Sequence, residues 1–98
     1  MDTYTTTAHK SMPKTPETAK RGVQHVLAGI EQDALIPCEP LISHAATGRH
    51  LDRVVVCLPR GHYAKSTIWF DKLRDALPWH CRVTVVPEVG RIEIEPRG

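Results

Sequence analysis

A chain of 98 residues, 41% of them hydrophobic and 24% charged, has room for one domain with one core. Aromatic residues are only 5%, so that core must be aliphatic, and runs such as Val54-Val55-Val56 and Val83-Thr84-Val85-Val86 supply it. The formal charge of +2 and a pI near 8.6 fall short of the pI above about 9 that marks a domain built around a nucleic-acid footprint, and no run approaches the roughly 20 apolar residues of a membrane helix.

Residues 1–14 are rich in Thr, with Lys, His and Pro and no hydrophobic period, which predicts a disordered basic arm. They hold no apolar stretch of the kind a secretory signal needs, so none is expected. Thr15-Pro16-Glu17 reads as a helix start: Thr at the N-cap, Pro at the first helical position, an acidic residue in the first turn. Ala19, Val23, Val26, Leu27, Ile30 and Ala34 then draw one apolar stripe at helical spacing. Gly22 and Gly29 each cost such a helix about 1 kcal/mol relative to Ala, so it depends on packing. Residues 35–50 contain Pro37, Pro40 and Gly48 and are expected to be mostly loop, with Leu41-Ile42 at most a short edge strand.

Leu51 to Leu58 reads as a strand, apolar on both faces at its centre, as in an interior strand covered from both sides. Pro59-Arg60-Gly61 ends it. Residues 63–77 follow as a helix with Tyr63, Thr67, Phe70, Leu73 and Leu77 on one face, stopped by Pro78. That helix is long enough to return the chain to a parallel neighbour, Cys81 to Val86, by a right-handed crossover. Pro87-Glu88-Val89-Gly90 makes a hairpin turn into a last strand with Ile92 and Ile94 inward and Arg91, Glu93 and Glu95 outward. The expected fold is α+β: a small single domain over residues 15–98 in the order α-β-α-β-β, with a three-stranded mixed sheet packed with two helices.

The segment from Pro59 to Thr67 approaches the phosphate-cradling pattern G-x-x-x-x-G-K-[ST], with Lys65 and Ser66 in place. Pro59 and Ala64 stand where the two glycines belong. Proline removes an N–H donor and alanine puts a Cβ where phosphate should approach, so nucleotide hydrolysis is not expected. A helix start flanked by Arg60, His62 and Lys65 can still receive an anion. Cys38, His44, His50 and His80 show no short metal-ligand spacing, and neither a metal nor another cofactor is expected. Ser66 and His62 lack a nucleophile turn. Cys57 and Cys81 fall in mid-strand, where a thiol behaves as a small hydrophobe. Glu93 and Glu95 suit an edge strand that carries charge against unwanted pairing. The three widely spaced cysteines are expected to remain free thiols in a reducing cytoplasm.

These exclusions favour a non-enzymatic binding or regulatory module that acts through protein–protein contact, of the accessory-factor or inhibitor kind that mobile elements encode. Trp69 and Trp79 are its candidate interface anchors. If both helices share one side of the sheet, the other face presents Val55, Cys57 and Val86, and a homodimer buries it. The alternative is a nucleic-acid-binding protein. Its contacts would come from Lys10, Lys14, Lys20 and Arg21 in the arm and first helix, and from Arg60, His62 and Lys65 at the second helix start. A small enzyme is the third and weakest reading.

Overall fold

The helical stripe and the valine runs fold as their spacing predicts, but they meet a wider sheet. In the computed structural model the described residues are 2–6, 10–34, 40–48 and 50–97, with the backbone alone described over 31–34. The strands in chain order are β1 (Asp2–Thr5), β2 (Lys10–Ser11), β3 (Leu41–Thr47), β4 (His50–Cys57), β5 (Trp79–Val86) and β6 (Arg91–Pro96). Helix α1 (Pro16–Ala34) precedes β3, and α2 (Ser66–Ala76) joins β4 to β5 after one 3-10 turn. The sheet runs β1-β5-β6-β4-β3 with antiparallel neighbours, and β2 makes a two-residue parallel pairing with the start of β5.

The expected three-stranded mixed sheet in the order α-β-α-β-β is therefore corrected to six strands. Two of the additions lie in the segment read as an arm. Thr and Tyr fit a pleated strand well, and here they pair Asp2–Thr5 with Val85–Arg82. Thr6 fastens the junction. Its side chain is buried, its N–H donates to the Cys81 carbonyl at 3.0 Å, and its Oγ1 accepts from the Cys81 N–H at 3.0 Å while donating to the Trp79 carbonyl at 2.5 Å. On the helix side, the Arg74 guanidinium lies 5.0 Å from the Tyr4 ring centroid. Met12 is buried in the core.

The third addition is β3, which pairs with β4 along its whole length, where mostly loop was expected. Pro40 stands just before it, so it removes no hydrogen bond from the ladder. Residues 35–39 of the expected loop, Cys38 included, lie outside the described residues. Opposite Ala45 and Ala46 the register shifts, leaving Asp52 without a partner in β3. This bulge lets Leu51 and Val54, three residues apart, both point into the core. The Thr47 hydroxyl donates to the Asp52 carboxylate at 2.6 Å.

Strands β4 and β5 do run parallel, but they are not neighbours: β6 lies between them and is antiparallel to both. The unit β4-α2-β5 is thus a split βαβ. The turn at 87–90 that feeds β6 forms as expected, with Gly90 at φ +58° and its carbonyl accepting from the Leu58 N–H at 2.9 Å. A Cβ on Gly90 would overlap the Tyr63 ring.

Both helices cover one face. Helix α1 packs on β3 and β4, α2 packs on β5 and β6, and the helices touch each other. Between helices and sheet lie Ala19, Val23, Leu27 and Ile30 of α1, Trp69 and Leu73 of α2, and Val54, Val56, Val83, Val85, Ile92 and Ile94 of the strands. The expectation that β4 is covered on both faces is corrected with the sheet, since Val55 and Cys57 point away from the helices and are only half-buried. Gly22 has a packing role: the Trp79 ring lies so close to α1 that a Cβ there would come within 2.5 Å of it.

Candidate functional site

The residues singled out in the sequence are spread over the fold. Lys10 pairs beside Trp79 at the start of β5, and the Lys14 carbonyl accepts from the Leu51 N–H at the start of β4. Arg60, His62 and Lys65 follow the end of β4. The two groups therefore sit at opposite ends of strands that are about 26 Å long for eight residues. Arg21 is exposed on α1 and Lys20 is half-buried.

At the start of α2, three loop N–H groups are bonded within the loop: His62 to the Pro59 carbonyl, Lys65 to the His62 carbonyl and Ser66 to the Tyr63 carbonyl. The Ser66 hydroxyl is fully buried, without a hydrogen-bond partner among the described residues. Trp69 and Trp79 both lie in the core. Burial pushes the Cys81 thiol above its ordinary value and outweighs the hydrogen bond from the Thr6 hydroxyl, which acts in the opposite sense. Among the described residues no group of three His, Cys, Asp or Glu side chains converges to hold a metal, and no helix is long and apolar enough to cross a membrane.

What the fold does bring together is the helix-free face of the sheet. Reading across β5, β6 and β4, one row is Thr84, Glu93 and Val55, and the next is Val86, Arg91 and Cys57. Glu93 sits at the centre, its carboxylate 3.2 Å from the Arg53 guanidinium and 3.0 Å from that of Arg91. Its side chain is only 15% exposed, so this charge is shielded by its two arginines and by the flanking valine and threonine. The face thus mixes half-buried apolar groups with a tied ionic cluster, and no described helix or strand packs on it.

The two margins of the sheet differ. At one, β5 is paired by β1 and β2. At the other, β3 pairs with β4, and no described residue hydrogen-bonds its outer edge. The sequence of β3, LISHAAT, carries no Lys, Arg, Asp, Glu or Pro, the residues that usually guard an exposed edge.

Helix α1 roofs this margin. At 100° per residue, Val23 points at the sheet, Gly22 and Val26 turn toward β5, and Lys20, Gln24 and Ala28 turn the other way, over β3. Glu17, on that same flank, lies 3.9 Å from His44 of β3. Between the flank and the start of β3 runs a groove of about 420 Å³ lined by Lys20, Gln24, Leu27, Pro40, Ile42 and, from α2, Trp69. Leu41 at its mouth is 72% exposed. The Trp69 indole N–H is buried and has no acceptor among the described residues. Sequence reasoning named Lys20 for its charge alone. The groove depends on β3, which hydrophobic patterning did not reveal.

Compared with family models, with curated proteins and with solved structures, the chain gives no match.

Proposed function

We propose that this chain is a non-enzymatic binding or regulatory module that works by protein–protein contact. One observation carries the reading: the sheet is covered by helices on one face only, and the other face offers Val55, Cys57 and Val86 around the Arg53–Glu93–Arg91 cluster. Half-buried apolar groups set around a shielded ionic cluster suit a protein surface that is both apolar and charge-matched. A second copy of the chain is the simplest occupant, since a two-fold axis would let the apolar groups of the two copies meet.

The test is a native-lysate pull-down with the intact chain and with Val55→Lys, each with and without nuclease, alongside light scattering of both proteins. The expected result is protein capture that survives nuclease and is lost in Val55→Lys. A wild-type dimer that becomes a monomer in Val55→Lys assigns the face to a second copy. Retention that disappears with nuclease overturns the reading in favour of nucleic acid.

A further inference from the structure

We propose that the outer edge of β3 and the groove beneath α1 together bind an extended peptide segment that carries a carboxylate. This rests on the chain being a protein-binding module, but it uses a surface distinct from the helix-free face.

The backbone makes the first half of the case. A strand with one neighbour sends every second N–H and C=O outward, and over Leu41–Ala45, before the register shift, β3 keeps a regular ladder with β4. Nothing described caps that outer row, and no charge or proline in β3 discourages a further strand. An added strand would alternate its side chains between the two faces of the sheet. Those on the helix side would enter the groove between β3 and the Lys20–Gln24–Ala28 flank of α1. At about 420 Å³ the groove falls within the roughly 300–1,000 Å³ typical of specific ligand pockets. Main-chain pairing supplies affinity in such a mode, and the pocket supplies selectivity.

The lining makes the second half. Lys20 is the only charged side chain lining the groove among the described residues, and it has no ion-pair partner among them. Gln24 adds an amide donor. Fully buried Trp69 adds to the apolar lining. A cation and an amide donor beside apolar Leu27, Pro40 and Ile42 call for an acceptor-rich anion on an apolar chain, which a carboxylate-bearing peptide provides. A second copy fits less well. The strand it would add here is its own β3, and LISHAAT has no carboxylate to give.

The probe is a display library of random 12-residue peptides selected on the immobilised full chain, followed by titration of the synthetic consensus by fluorescence anisotropy. The expected consensus alternates apolar residues and includes Asp, Glu or a free C-terminal carboxylate. Lys20→Met should weaken its binding about tenfold, as for loss of one charge-assisted hydrogen bond. Ala28→Glu, a change that an exposed helix position tolerates, should weaken it likewise through a like charge. Backbone N-methylation of the peptide should abolish binding at alternate positions and spare the positions between. Val55→Lys should leave affinity within about twofold, because it alters the other surface, so failure of the helix-free face as an interface would leave this result intact. An unenriched library, a consensus without acidic groups, indifference to Lys20→Met and Ala28→Glu, or N-methylation without alternation overturns the proposal. So does a dimer that the peptide cannot enter and that Val55→Lys leaves intact, since β3 would then belong to a second copy.

Discussion

The two margins of this sheet are built from different material. At one, β1 and β2 pair with β5 beside the buried Thr6, so that a segment with almost no apolar pattern becomes the outermost strand. At β3 a neutral strand is left unpaired under a helix flank that carries Lys20. Backbone pairing, more than hydrophobicity, places β1 against β5, and both β1 and β3 then present an outer row. What sets β3 apart is the groove beside it, with exposed Leu41 at its mouth.

Removing residues 2–11 should give the largest effect. It strips the pairing from β5, exposes its backbone and loses Thr6, and we expect roughly 3–5 kcal/mol of lost stability in urea denaturation, with a tendency to aggregate. Leu41→Lys at the opposite margin should change stability by no more than about 0.5 kcal/mol, as for other exposed sites. Equal losses at the two margins would show that β1 and β3 contribute alike to the fold.

Thr6→Val isolates one part of the closure. The valine nearly matches in shape but leaves the Cys81 N–H without its acceptor in a buried site, a loss of about 2 kcal/mol. Thr6→Ser should retain most of the stability, because the hydroxyl remains.

The glycines of α1 sharpen the contrast within one helix. Gly22→Ala gains helix propensity but drives a Cβ into the Trp79 ring, so a net loss of about 1–2 kcal/mol is expected. Gly29→Ala meets nothing within 4 Å and should gain up to about 1 kcal/mol. Thermal melts of the two variants should therefore move in opposite directions.

The smallest effect is chemical. Cys81, under Thr6 at the closed margin, should resist a thiol reagent at pH 8, whereas half-exposed Cys57 on the helix-free face should react. The native state holds the Cys81 proton more tightly than the unfolded chain does. Its contribution to stability is thus complete below the ordinary thiol value of 9.0 and is lost as pH rises from there through the raised native value. Mass mapping of labelled peptides, with Cys38 replaced, separates the two thiols.

Much of this architecture was legible in the sequence because it rests on local periods. The stripe from Ala19 to Ile30 gave α1, the alternation in Val83–Val85 and Ile92–Ile94 gave β5 and β6, and Pro87 to Gly90 gave the turn between them. Strand β1 and most of β3 were not legible beyond the short edge strand expected at Leu41-Ile42, since DTYT and LISHAAT carry no alternating apolar face and owe their form to a neighbour distant in the chain. The insertion of β6 between β4 and β5 was hidden for a related reason: either strand order satisfies the same inward valines and isoleucines. The half-covered face was legible only as a condition. Val55 and Cys57 look like interior residues until Glu93 and Arg91 are known to lie beside them. Lys20 stands out in the sequence by its charge, but its groove exists only once β3 is in place.

The asymmetry of the margins is tested most directly by amide hydrogen exchange read residue by residue on the free chain. Along β5, paired on both sides, consecutive amides from Arg82 to Val85 should all be protected. Along β3, from Leu41 to Ala45, protection should alternate, with every second amide exchanging near the rate of an unstructured chain. Uniform protection along β3, or rapid exchange along the outer row of β5, would contradict the account.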